Sequence, residues 1–119
     1  MSRILIIDDS QTEFFSLKEF LTKQGHDVSW ATNGFDGIEM ALVERPDLIL
    51  MDVVMPELNG FQATRRLNRD DATKHIPVVM ITTKNQDTDK IWGMRQGASE
   101  YLTKPINQKQ LLKVMKKLL

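Results

Sequence analysis

The feature that most constrains this 119-residue chain is a change of hydrophobic period that recurs five times. Short runs rich in Val, Ile, Leu and Met alternate with longer stretches whose apolar side chains fall three and four apart. The short runs are Arg3–Ile7, Asp27–Ala31, Leu48–Met51, Val78–Ile81 (opened by Pro77) and Glu100–Thr103. A continuous apolar run bounded by turn signals reads as a strand buried on both faces, as in a parallel sheet. The longer stretches are Thr12–Gln24, Phe35–Arg45, Phe61–Arg69, Asp87–Gln96 and a last one capped by Asn107. Phe14, Leu17 and Leu21 give the first its inner stripe. Phe35, Ile38, Ala41 and Leu42 give the second, and Leu111, Val114, Met115 and Leu118 the last. Gly25 and Gly97 close helices, Pro46 ends the second, and Asn59 caps the third. Strand and helix alternating through short loops require right-handed crossovers and a parallel sheet covered on both faces. The expected fold is therefore α/β, a doubly wound (βα)5 three-layer sandwich. The usual strand order for five such units is 2-1-3-4-5. No linker, repeat or low-complexity tract interrupts the pattern, so one domain over residues 1–119 is expected.

Composition removes several functions. Lys and Arg total 16 and Asp and Glu 16, so the basic excess that direct nucleic-acid binding would need is absent. There are no cysteines, hence no disulfide framework, thiolate chemistry or thiolate metal site. This fits a reducing compartment. The apolar run Ile4–Ile7 is too short for a signal peptide or a membrane span and is stopped by two aspartates. A cytoplasmic protein without membrane insertion is expected.

Ligands of open α/β sheets bind at the carboxyl ends of the strands. With the order 2-1-3-4-5, the first strand brings Asp8 and Asp9 to that edge and the third brings Asp52. The fourth brings Thr82 and Thr83, and the fifth brings Lys104. Each has a plainer reading: a solvated acidic pair, a turn cap, a strand-end hydroxyl bonded to backbone, a surface lysine. Their joint arrival at four successive strand ends favours a site.

Clustered carboxylates repel, so they must take up protons or hold a cation. Oxygen ligands without His or Cys favour a hard ion, and few protein oxygens suit Mg2+, which keeps several waters. A carboxylate beside such an ion can act as a nucleophile toward phosphorus and form an aspartyl phosphate. The metal and the Lys104 ammonium would neutralise phosphoryl charge, and a Thr82 hydroxyl can donate to a further oxygen. Asp52 stands alone between the other strand ends and is assigned as nucleophile. Asp8 and Asp9 suit the ion. Lys104 precedes Pro105, where a cis bond costs little and would aim the lysine inward. Tyr101, on the last strand, has a ring that could swing as Thr82 moves, or stay packed at the sheet edge.

These residues resemble a known family. Asp8-Asp9, the segment Asp52-x-x-Met55-Pro56-x-x-x-Gly60, Thr82 and Tyr101-Leu102-Thr103-Lys104-Pro105 are similar to the receiver domains of two-component response regulators, the CheY-like, flavodoxin-like fold. The resemblance spans the chain. It implies phosphorylation of Asp52 by a histidine kinase and Mg2+ held by Asp8, Asp9, Asp52 and the backbone carbonyl of Val54. Thr82, Tyr101 and Lys104 would form the switch. It also implies a stand-alone receiver with no DNA-binding output domain. The segments Leu58–Arg65 and Trp92–Ala98 resemble more narrowly the PilH-type receivers of chemosensory systems that control type IV pili and twitching motility. Two positions that flank the path of an attacking water are Val54, which offers that water no hydrogen bond, and Lys84, which can crowd the path or pair with phosphate. Fast self-dephosphorylation is not expected.

A phosphoryl group adds about −1.5 to −2 charges. Thr82 and Lys104 would answer it and bias the surface of the fourth helix, fifth strand and fifth helix. That surface carries Ile91, Trp92, Met94, Tyr101, Lys109, Lys113, Lys116 and Lys117. It would take an unidentified output protein, with the chain a monomer or a dimer formed on phosphorylation. Trp30 is expected in the core. Rival readings are a phosphate sink, a phosphorylation-independent scaffold, and an Mg2+-dependent aspartyl-phosphate phosphohydrolase. The last would need a further acid or base, and His26 and His75 both fall in expected loops.

Overall fold

Side chains branched at Cβ crowd a helix and fit a pleated strand, and the three central strands draw almost all their residues from Val, Ile, Leu and Met. The computed structural model describes residues 1–119. Its elements run β1 (Arg3–Ile7), α1 (Gln11–Lys23), β2 (Asp27–Ala31), α2 (Gly34–Glu44), β3 (Leu48–Met51), α3 (Gly60–Arg69), β4 (Val78–Thr82), α4 (Asp87–Arg95), β5 (Glu100–Thr103) and α5 (Gln108–Leu118). The sheet has the order β2-β1-β3-β4-β5 and every pairing is parallel. Doubly wound connectivity and the expected strand order are both present.

Alternate residues of the sheet feed two cores. On one face Ile4, Ile6, Leu48, Leu50, Val79 and Ile81 pack with Phe14, Leu17 and Leu21 of α1 and with Leu111, Val114 and Met115 of α5. On the other, Leu5, Ile7, Ile49, Met51 and Val78 pack with Ala41 of α2 and with Ala63 and Leu67 of α3. The helix ends follow local chemistry. The Ser10, Asn33, Asn59 and Asn107 side chains each accept a backbone N–H in the first turn of their helix. Asn59 and Gln62 complete a capping box. Helix α2 ends at Arg45, left-handed at φ 48°, because the residue before Pro46 is steered away from helical geometry.

Helix α2 departs from the expected stripe. Ala41 is buried, but Phe35 and Leu42 are exposed, and Gly34 and Gly37 face inward instead. The helix lies too close for large side chains: a Cβ at Gly37 would stand 2.5 Å from Ile7 Cδ1. Phe35 therefore lies outside, with the Arg66 guanidinium 5.4 Å from its ring centre. Helix α4 is the most lightly anchored, with Gly93 its one buried residue. The absence of a side chain there lets the helix settle on Met80 and Tyr101.

Gly60 fixes the loop that follows β3. Its N–H donates to the Val53 carbonyl at 2.9 Å, and a Cβ on it would meet the Asp52 carbonyl oxygen at 2.1 Å. Neither backbone can yield without moving the strand end. Gly60→Ala is expected to lower stability by about 1–3 kcal/mol, the usual cost of forcing atoms into filled space. Urea unfolding against Gly93→Ala, where the obstructing atoms belong to side chains, checks this; the glycine at 60 should be the less replaceable.

Candidate functional site

Parallel pairing in this order lifts the ends of β1, β3, β4 and β5 to one edge. Asp8 follows β1 directly, and each of its polar groups is engaged. Its N–H donates to the Ala31 carbonyl at 3.1 Å. Its carbonyl accepts from the Trp30 indole N–H at 2.8 Å, and its Oδ1 accepts from the Ser10 N–H at 2.8 Å. Its Oδ2 lies 3.3 Å from Lys104 Nζ. Asp52 follows β3, with its N–H donated to the Ile7 carbonyl at 2.9 Å. Asp52 Oδ1 accepts from the Val53 N–H at 2.8 Å, and Oδ2 lies 3.7 Å from Lys104 Nζ. Asp8 and Asp52 are buried and Asp9 is exposed. One carboxylate oxygen from each of the three lies within 4.8 Å of the others.

Lys104 closes this cluster. Its ammonium reaches Asp8, Asp52 and, at 3.6 Å, Glu13 Oε2. The Lys104–Pro105 peptide is cis. Glu13 is an addition to the expected set: it sits in the first turn of α1, where it also complements the helix dipole. Only its position three residues after the Ser10 cap could have pointed to it. Thr82 is fully buried, and its Oγ1 accepts from the Lys84 N–H at 3.3 Å. The Tyr101 hydroxyl donates to the Lys84 carbonyl at 2.8 Å. The Lys84 side chain turns toward α4, 3.7 Å from Asp89 Oδ1. Val54 and Thr83 are exposed. Trp30, expected in the core, is only half-buried: it stacks on Phe14 at 4.3 Å between ring centres while its N–H goes to Asp8.

Electrostatics follow from this crowding. Burial, then the Asp8 carboxylate, raises the Asp52 carboxyl from 3.8 to about 6, against the opposing pull of Lys104 and the Val53 N–H. Burial disfavours the Lys104 ammonium, but Asp52, Asp8 and Glu13 outweigh it and the lysine titrates above its ordinary range. Burial, with Asp89 and Asp52, pushes the Tyr101 hydroxyl up to about 12. Three oxygen donors, two of them buried and one open to solvent, fit a hard divalent cation.

Comparisons with known proteins bear on the family and the fold. The profile of the response regulator receiver domain family matches residues 4–116. Protein PilH of Pseudomonas aeruginosa is 57% identical over 115 residues, which cover 97% of this chain and 95% of that protein. The crystal structure of the Vibrio cholerae chemotaxis protein CheY4 superposes with a TM-score of 0.92 at 31% identity, covering 100% of this chain and 99% of that one. The receiver domain of the Pseudomonas aeruginosa sensor histidine kinase PA1611, at TM-score 0.90 and 25% identity over 98% of this chain and 96% of its own, carries a magnesium ion in its active-site cleft.

The raised Asp52 carboxyl has a consequence for stability. Between about pH 4 and 6 the folded protein holds a proton that the unfolded chain has lost, so stability falls as pH rises through that window. The full difference, from 3.8 to about 6, corresponds to roughly 3 kcal/mol. In EDTA, Asp52→Asn is expected to raise the melting temperature at pH 7 and to flatten this part of the profile. Thermal unfolding at stepped pH measures both; an unchanged slope in the variant would remove Asp52 as its source.

Proposed function

The chain belongs to the response regulator receiver domain family, a phosphoacceptor signalling domain, and on that premise we propose that Asp52 is the phosphoacceptor. The observation that carries the assignment is position. Asp52 follows β3, the middle strand of the sheet, between the ends of β1 and β4; one of its carboxylate oxygens lies within 4.8 Å of one from Asp8 and one from Asp9, and Lys104 Nζ is 3.7 Å away. Its Oδ1 is held by the Val53 N–H, which leaves Oδ2 on the lysine side to attack phosphorus as the bond to the kinase histidine nitrogen breaks. Asp8 and Asp9, with Asp52 and the Val54 carbonyl, would hold Mg2+, and the ion would supply neutralisation of phosphoryl charge. Lys104, already paired with Asp52 and Asp8, would exchange part of that pairing for a phosphoryl oxygen.

The route outward runs through Lys84. Its N–H is held by the Thr82 hydroxyl oxygen and its carbonyl by the Tyr101 hydroxyl. A rotation about Thr82 χ1 that carries its hydroxyl to a phosphoryl group takes Oγ1 away from the Lys84 N–H, and so frees one of the two bonds on the backbone that anchors Tyr101. Tyr101 packs against Gly93 of the lightly held α4. Ile91, Trp92 and Met94 are exposed on that helix. The α4–β5–α5 face is thus the surface that the phosphate biases toward an output partner. Identity to PilH, with the Leu58–Arg65 and Trp92–Ala98 segments, supports a cytoplasmic place in a chemosensory-type pathway controlling type IV pilus twitching motility, served by a histidine kinase of chemosensory type. No helix is long and apolar enough to cross a membrane.

Incubation with acetyl phosphate and Mg2+ followed by intact-mass measurement is expected to add one phosphate to the wild type and none to Asp52→Asn. A gain on both proteins contradicts the assignment. Val54 offers no hydrogen bond to water and the Lys84 ammonium is turned to Asp89, so neither side chain drives hydrolysis. Phosphate lifetimes in Val54→Ala and Lys84→Ala should not lengthen; a clear lengthening in either would show that its side chain assists the water.

A further inference from the structure

We propose that Trp30 is a positioning residue for the cation site: its indole N–H orients the peptide plane that joins Asp8 to Asp9. The inference rests on the reading that those carboxylates hold the ion. The peptide bond is planar, so the carbonyl of Asp8 and the N–H of Asp9 turn together. The Asp8 carbonyl accepts from Trp30 Nε1 at 2.8 Å. On the other side of the same residue, the Asp8 N–H is fixed by the Ala31 carbonyl at 3.1 Å. With both planes flanking Asp8 set, the direction in which its side chain leaves the backbone is set; the Ser10 N–H, donated to Asp8 Oδ1 at 2.8 Å, restrains the plane after Asp9 and so the direction of the second carboxylate. The carboxylates themselves cannot do this, because their mutual repulsion would splay the pair.

The indole is in turn held on two sides. Trp30 lies opposite Ile6 in the β1–β2 ladder, which places it beside the end of β1. Its ring stacks on Phe14 at 4.3 Å and an interplanar angle of 6°. Phe14 is buried in α1, next to Glu13, the residue whose carboxylate reaches Lys104. The stack therefore ties β2, α1 and the acidic loop into one unit. A Phe at position 30 could keep the stack but not the donor, so the two roles separate experimentally.

Calorimetric titration with Mg2+ tests this on wild type, Trp30→Phe and Asp9→Asn, with melting temperatures taken in EDTA. Loss of a group that orients metal ligands commonly weakens affinity by about 10–100-fold. The expected result is a dissociation constant raised roughly tenfold in Trp30→Phe, with near wild-type melting in EDTA and with binding abolished in Asp9→Asn. A second reading leaves Trp30 in place. In Trp92→Phe, where Trp30 is the one remaining indole, its emission should change on adding Mg2+ and saturate with the calorimetric constant. An Mg2+ affinity in Trp30→Phe within twofold of wild type overturns the inference while leaving the ion site standing. Absence of Mg2+ binding by the wild type overturns the ion reading, and the inference with it.

Discussion

Three carboxylates share a volume in which they repel one another, and much of the structure around them serves to keep them there. The strand ends supply the position: backbone bonds from Asp8 to Ala31 and from Asp52 to Ile7 pin both residues to the sheet edge. Lys104 supplies one positive charge, shared among Asp8, Asp52 and Glu13. Burial raises the Asp52 carboxyl, and one ammonium leaves a further imbalance of negative charge, that of Asp8 foremost. A divalent cation would remove it, and a phosphoryl group delivered with the cation would restore it in another form. The charge of the site is unbalanced by itself, and that would make it responsive.

Response at a distance requires a weak element joined to the strong one. Four of the helices bury two or more residues against the sheet, whereas α4 buries only Gly93. Elements that move in regulation come from the low-stability end of a fold, and coupling between distant sites usually amounts to about 1–3 kcal/mol. Two hydrogen bonds on the backbone of one residue, Lys84, can transmit a difference of that size between Thr82 and Tyr101.

Much of this was legible in the sequence because the signals were redundant. Five apolar runs, five helical stretches and their Gly, Pro and Asn punctuation all imply the same winding, and the winding alone brings Asp8, Asp9, Asp52, Thr82 and Lys104 to one edge. What was not legible depended on distances that periodicity does not carry. Phe35 and Leu42 have the spacing of core residues, but α2 approaches Ile7 too closely at Gly37 to admit them. Glu13 has the look of a helix-dipole acid, and only the reach of Lys104 brings it into the site. Trp30 reads as core because it is large and lies on a strand; its N–H bond to Asp8 depends on how far β1 extends beside β2. The link through Lys84 is made by main-chain atoms, which the identity of a residue does not reveal.

The central claim is that this edge gathers a divalent cation and a phosphoryl group around Asp52, with Lys104 and Thr82 turning toward the phosphoryl oxygens. The most direct measurement is a crystal structure of the protein with Mg2+ and beryllofluoride, a stable mimic of an aspartyl phosphate. The account predicts beryllium bonded to a carboxylate oxygen of Asp52, the metal held by the Asp8–Asp9 pair, Asp52 and the Val54 carbonyl, and fluorines contacted by Lys104 Nζ and Thr82 Oγ1. A mimic bonded to another carboxylate, or a metal seated away from these aspartates, would contradict it.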